Sequence, residues 1–328
     1  MREVDLRSDT VTRPSAPMRA AMADAEVGDD VYGEDPTTKR LEKSCAERLG
    51  LEAGLFVASG TQSNLAALLT HCGRGDEYIA GQDAHTYRFE GGGGAAFGGI
   101  QPQPLPFQPD GTLDLDDVEA AVKPDDYHFA KTRLLCLENT QGGRPIGPGY
   151  FDRAKALANR YGLRLHLDGA RLFNAAVALA IDVDGITRYC DSVSVCLSKG
   201  LGAPVGSVLC GDSDFIVAAR RWRKVLGGGM RQCGILAAAG LYALEHNVER
   251  LADDHRRARE LADGLRAAGI AADQRTNMVY VDGIESARMR AHMATGGVRV
   301  SGPRWVVHLD IDDGDLRHIV DTAAGLSG

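Results

Sequence analysis

The chain has 328 residues, 44% apolar and 25% charged, with a formal net charge of −8. That length exceeds the roughly 250–300 residues at which one core stops growing, so a large unit and a smaller one are expected. The negative charge argues against a nucleic-acid-binding surface, and no apolar run is long enough to span a bilayer. Seven scattered cysteines without a C-x-x-C pair offer neither a disulfide framework nor a zinc site. With no apolar signal region after Met1, these features point to a reducing cytoplasm.

In chain order, short apolar runs predict strands at Leu55–Ala58, Glu77–Ala80, Leu134–Glu138, Leu163–Asp168, Ser192–Leu197 and Ser207–Cys210. Between them, amphipathic spacing predicts helices at Pro36–Leu49, Gln62–Cys72, Leu115–Val122, Tyr150–Tyr161 and Asp214–Val225. Strands interleaved with helices imply right-handed crossovers and a mostly parallel sheet, an α/β fold. The glycines of 91–94 read as a mobile loop. After a helix over Arg231–His246 the pattern changes to an α+β unit. This unit has helices at Glu249–Ala268, Glu285–Ala294 and Asp315–Ala324, with strands at Met278–Val281, Val298–Val300 and Trp305–Leu309. The expected division is an N-terminal arm over residues 1–14, a large domain over 15–245 and a small C-terminal domain over 246–328.

Two strand ends carry the chemistry. Ser194-Val195-Cys196-Leu197-Ser198-Lys199-Gly200-Leu201-Gly202 ends an apolar run at one lysine, and Leu163–Asp168 ends at an aspartate before Gly169-Ala170-Arg171. Parallel sheets bind ligands outside the carboxyl ends of their strands, where both side chains would emerge. An amine for a Schiff base and a carboxylate for a pyridinium proton are what pyridoxal 5'-phosphate requires. Ser59-Gly60-Thr61-Gln62 follows a strand and opens a helix, a ready phosphate seat. His85 follows the next strand and could stack on a pyridine ring. Arg171 and Arg304 are guanidinium forks suited to a substrate carboxylate. Each feature has a plain structural explanation too: a surface lysine, an N-cap, a loop histidine or surface ion pairs. His166-x-Asp168 also spells the start of a non-haem iron triad, which the helix content opposes.

Eight blocks make the pattern more specific. They begin with Asp5-Leu6-Arg7-Ser8-Asp9-Thr10-Val11-Thr12, Val27-Gly28-Asp29-Asp30-Val31-Tyr32-Gly33, Gly60-Thr61-Gln62 and Leu137-Glu138-Asn139-Thr140. They continue with Leu167-Asp168-Gly169-Ala170-Arg171, Leu197-Ser198-Lys199-Gly200-Leu201-Gly202, Gly227-Gly228-Gly229-Met230-Arg231-Gln232 and His308-Leu309-Asp310. In this order the sequence resembles the low-specificity L-threonine aldolase family, pyridoxal phosphate enzymes of fold type I. The resemblance implies that Lys199 carries the coenzyme, Asp168 pairs with its ring nitrogen and His85 stacks on the ring. It implies that Gly60, Thr61 and Gln62 hold the phosphate, and that Ser8, Arg171 and Arg304 bind the substrate carboxylate. Tyr32, Lys224 and Arg231 would border the site, some from a neighbouring subunit of a homotetramer built from dimers.

One departure is Gln141, where many relatives have a histidine near the substrate's β-hydroxyl. An amide cannot titrate near neutral pH, so His85 or an ordered water would have to act as base. The expected reaction is cleavage of L-threonine or L-allo-threonine to glycine and an aldehyde. The alternatives are a phenylserine aldolase or an activity like serine hydroxymethyltransferase on the same fold, or a binding protein whose catalysis has decayed.

Overall fold

The structure is a computed structural model, and it describes residues 3–326. In chain order its strands are β1 (Val4–Asp5), β2 (Ala53–Val57), β3 (Asp76–Gly81), β4 (Gln101–Leu105), β5 (Lys131–Glu138) and β6 (Arg164–Gly169). They continue as β7 (Ser192–Cys196), β8 (Ser207–Gly211), β9 (Ala272–Arg275), β10 (Met278–Val281), β11 (Val298–Arg299) and β12 (Arg304–Val306). Seven of them form one sheet in the order β2-β8-β7-β6-β5-β3-β4. Only β8 runs antiparallel to its neighbours, so the mostly parallel expectation holds.

The central strands are apolar on both sides because helices cover both faces. Leu134, Leu135, Leu165, Leu167, Val193 and Val195 are all buried. One face packs on helices Pro36–Leu49, Pro148–Arg160 and Gly234–His246 through Leu41, Phe151, Leu157 and Ala237. The other packs on helices Gly60–His71 and Ser213–Val225 through Leu65, Leu68, Phe215 and Ile216. Pro36–Leu49 begins where its sequence says. Asp35 accepts from Thr38 N–H, proline occupies the first turn, and Gly50 ends the helix at φ 65°.

The edge strand β4 was not expected, because Gln101-Pro102-Gln103-Pro104-Leu105 reads as a loop. It pairs only with β3, so the missing proline N–H groups face away from any ladder. The glycine patch also carries regular structure. It runs into a π-turn, Gly94–Gly98, where a side chain at 98 would meet Leu69 and Ile100 within 2.7 Å.

The small unit has the antiparallel sheet β12-β10-β9 with helices Leu251–Ala267, Ser286–Thr295 and Asp313–Ala323. Its core contains Leu261, Trp305 and Ile319, and also Val4 and Leu6 from the chain start. The start of the N-terminal arm docks on this unit: β1 pairs parallel with β11, and Leu6 accepts from the Val306 N–H. Burial of Val4 and Leu6 explains the docking. Beyond Leu6 the chain crosses to the large unit, where Asp9 is buried against Arg171.

Candidate active site

Three neighbouring strands end together. In the ladder Glu138 of β5 lies opposite Asp168 of β6, and Asp168 lies opposite Ser194 of β7. Lys199 follows three residues after the end of β7, in a turn fixed by its carbonyl. That oxygen accepts from Gly202 N–H at 2.8 Å and from Thr12 Oγ1 at 3.2 Å. Gly202 sits at φ 77°, and a side chain there would strike Leu309 at 2.6 Å, so glycine is required. The positive charge of Lys199 helps lower the Asp9 and Glu138 pKa values and opposes the rise at His85.

Asp168 is buried, yet its carboxylate is well supplied with donors. Oδ1 accepts from Ala170 N–H at 3.0 Å and Oδ2 from Asn64 Nδ2 at 2.8 Å. The same Asn64 nitrogen donates to Glu90 Oε1 at 2.8 Å, and that oxygen accepts from His85 Nδ1 at 2.7 Å. The Glu90 hydrogen bond and then the Asp168 charge raise the His85 pKa against the effect of burial. Burial itself raises that of Glu90. The His85 backbone N–H donates to Glu138 Oε2 at 2.9 Å. Burial first, then the charge of Asp168, pushes Glu138 up to about 7. Asn64 and Glu90 are the functional residues that sequence reading missed. Their only signal was a polar residue just before the apolar stretch Leu65–Leu69 and an acid just before a glycine run.

The start of helix Gly60–His71 forms the anion seat. Ser59 Oγ accepts from Gln62 N–H, which leaves the N–H groups of Gly60 and Thr61 without acceptors among the described residues. Gln62 departs from expectation: its Oε1 accepts from Ala58 N–H at 3.0 Å, and its amide abuts Gly228. It ties the 226–229 loop to the seat rather than offering a free donor. Lys224 at the end of helix Ser213–Val225, Arg231 just past the 226–229 loop, and Tyr32 are all exposed. Arg231 pairs with Asp29 at 2.9 Å and lies 5.8 Å from the Tyr32 ring. None of these three has a side-chain hydrogen bond or ion pair with Lys199, Asp168 or His85 among the described residues.

The expected carboxylate clamp is only partly assembled. Arg171 Nε and Nη2 form a bidentate pair with Asp9 at 2.9 and 2.6 Å, so only Nη1 is left without a partner among the described residues. Burial pushes Asp9 up, but the Arg171 charge outweighs this and holds it at about 2. Ser8 lies just before, its Oγ accepting from Thr10 N–H. Arg304 is exposed on β12 opposite Tyr280, on the same face of the small sheet. The Tyr280 hydroxyl donates to Gly142 O at 3.1 Å, so this face looks toward the 141–143 turn. Gln141 itself packs against Gly111.

A beta-eliminating lyase family model matches residues 5–284. The low specificity L-threonine aldolase of Escherichia coli K12 is 52% identical over 324 residues, covering 96% of this chain and 97% of that protein. The chain belongs to the low-specificity L-threonine aldolase family. A probable low-specificity L-threonine aldolase 2 of Arabidopsis thaliana is 48% identical, covering 98% of this chain and 96% of that one. The threonine aldolase of Leishmania major shares the fold at a TM-score of 0.84 and 22% identity, covering 99% of this chain and all of that one. A serine palmitoyltransferase of S. paucimobilis, solved with bound PLP–myriocin, shares it at 0.75 and 18%, covering 98% and 87%.

The donor set in this aldolase-family chain suits a flat heteroaromatic cation with an anionic tail. Asp168 offers a buried carboxylate, His85 a half-exposed ring beside it, and the Gly60 and Thr61 N–H groups an anion seat. The iron-triad alternative fails on geometry. His166 is fully buried with Nδ1 on Ser192 Oγ at 2.7 Å and Nε2 on Asn64 Oδ1 at 3.2 Å, so neither nitrogen is free for a metal.

Proposed function

We propose that this chain cleaves L-threonine, L-allo-threonine and related L-β-hydroxy-α-amino acids to glycine and an aldehyde, with pyridoxal 5'-phosphate bound covalently to Lys199. The observation that supports the reading is that Lys199 follows the end of β7, beside the end of β6 that carries Asp168, while the His85 N–H is tied to Glu138 at the end of β5. It is supported by 52% identity to the Escherichia coli enzyme over nearly its full length. When bound, the coenzyme supplies a protonated ring that accepts the electron pair of the breaking Cα–Cβ bond.

The chain's own residues do the rest. Asp168, held as a carboxylate by the Asn64 and Ala170 donors, keeps the proton on the ring nitrogen. Gly60 and Thr61 N–H groups take the phosphate, aided by the helix dipole. Arg171 Nη1, Ser8 and Arg304 hold the substrate carboxylate, which fixes the orientation of the bond to be broken. Glu90 holds the Nδ1 side of His85 and leaves Nε2 to take the β-hydroxyl proton. Lys199 returns to release glycine. A glycine-release assay with L-threonine, run beside a visible spectrum of the purified protein, tests the reading. A colourless protein that takes up no pyridoxal phosphate would refute it.

The same reading includes a homotetramer built from dimers. Tyr32 is 76% exposed, Phe97 61% and Tyr127 92%, aromatic surface that a neighbouring subunit would shield from water. Light scattering should give four times 35.0 kDa. Seven free, buried cysteines support a reducing, cytoplasmic setting. Among the described residues, no helix is long and apolar enough to cross a membrane.

A further inference from the structure

Beneath Asp168 a line of polar side chains crosses an otherwise apolar layer. Asn64 and His71 lie seven residues apart on one helix, so both face the sheet. His166 and Asp168 alternate on β6 and share a face, and Ser192 of β7 is the ladder partner of His166. The contacts are continuous. His71 Nε2 meets Ser192 Oγ at 2.7 Å, Ser192 Oγ meets His166 Nδ1 at 2.7 Å, and His166 Nε2 meets Asn64 Oδ1 at 3.2 Å. Asn64 Nδ2 then reaches both Asp168 and Glu90 at 2.8 Å. Asn64, His166, Ser192 and Asp168 are all buried.

The chemistry assigns a direction to every link. Two carboxylates face one end of the Asn64 amide, so that end must be the NH₂ group. Its oxygen can only accept, so His166 carries its proton on Nε2. Nδ1 of His166 then accepts from Ser192, whose oxygen accepts from His71. Burial lowers the pKa of His166 to about 3 and of His71 to about 4, so both rings are neutral and their tautomers hold. All the donors point one way, toward Asp168 and Glu90. Without the amide, two adjacent carboxylates would face each other with Glu138 as a third acid nearby, and Lys199 and His85 would be left to balance them. One of the carboxylates would then gain a proton.

We propose that Asn64, His166, Ser192 and His71 are positioning residues that hold Asp168 as a carboxylate in one rotamer, and so keep the coenzyme ring nitrogen protonated. The inference rests on the pyridoxal phosphate reading above. Its test is the ¹⁵N chemical shift of the ring nitrogen in holoenzyme loaded with ¹⁵N-labelled pyridoxal phosphate, for wild type, Asn64→Leu and Ser192→Ala. Ser192→Ala removes only one buried oxygen and serves should Asn64→Leu not fold. The expected result is a shift toward the unprotonated ring in both variants, larger for Asn64→Leu. With it, kcat for L-threonine should fall about ten- to hundred-fold with KM little changed, the range seen when outer partners of a ligand are removed. A residue that merely packs would lower the melting temperature and leave the ring signal in place. Loaded variants whose ring shift matches wild type would overturn the inference alone. A wild type that takes up no pyridoxal phosphate would overturn the functional reading and this inference with it.

Discussion

At the sheet end, Asp168, Asn64, Glu90 and His85 are joined by hydrogen bonds of 2.7–2.8 Å within one chain. At the rim, Lys224, Arg231 and Arg304 are exposed, and Arg231 turns to Asp29. The floor of the site is pre-organised before any ligand arrives, which suits electrostatic work on a ring that must keep its charge. The rim draws on different units: the small sheet carries Arg304, and the loops at Tyr32 and Arg231 are exposed. In the proposed reaction the chemistry would rest on the sheet end and substrate choice on the loops around it.

The contrast can be broken at several points. The largest effect belongs to the floor: Lys199→Ala should abolish turnover and the coenzyme's covalent attachment, read by the visible spectrum and glycine release. Persistence of wild-type aldolase activity would remove Lys199 from its role. Between floor and rim, Asp9→Asn leaves the buried Arg171 charge without its counter-ion. It should cost about 3–5 kcal/mol of unfolding free energy, measured by urea denaturation. At the rim, Arg304→Ala should raise KM for L-threonine about ten- to hundred-fold, the equivalent of ~1.5–3 kcal/mol, with kcat less affected. An unchanged KM would take Arg304 out of the clamp.

Acid tests the Asp9–Arg171 pair by a second route. Because the folded pKa of Asp9, about 2, lies below its ordinary 3.8, the stability it contributes is present above 3.8. That contribution is lost as pH falls toward 2. A pH series of melting temperatures should show this loss in wild type and a flatter curve in Asp9→Asn. Gln141→His is expected to have the smallest effect, since Gln141 packs on Gly111. A several-fold change in the ratio of threonine to allo-threonine rates would show instead that this turn reads the β-carbon.

Much of the scaffold was legible because local rules agree with the tertiary result. Pro36–Leu49 and Met278–Val281 match expectation to the residue, the first through its proline and glycine ends. Helices Ala16–Ala23 and Leu172–Leu179 escaped, the second because it follows directly on Asp168-Gly169-Ala170-Arg171 with no capping side chain. In the site, Lys199 and Asp168 were readable because a charge at the end of an apolar run is costly unless it is used. That the Gln62 amide meets Ala58 and the Gly228 loop was not readable, the latter lying more than 160 residues away.

Periodicity and strand-end chemistry determined, from the residue string alone, that this is an α/β protein with an amine and a carboxylate emerging beside each other. These features depend on neighbours within a few positions. Folding in three dimensions decided that Asp9 neutralises Arg171, that Val4 and Leu6 complete the small core, and that Asn64 bridges Glu90 and Asp168. Those choices join residues from 26 to nearly 300 positions apart. A buried charge or polar group takes whichever partner the packed chain brings within hydrogen-bond reach, and no local pattern records which one that is.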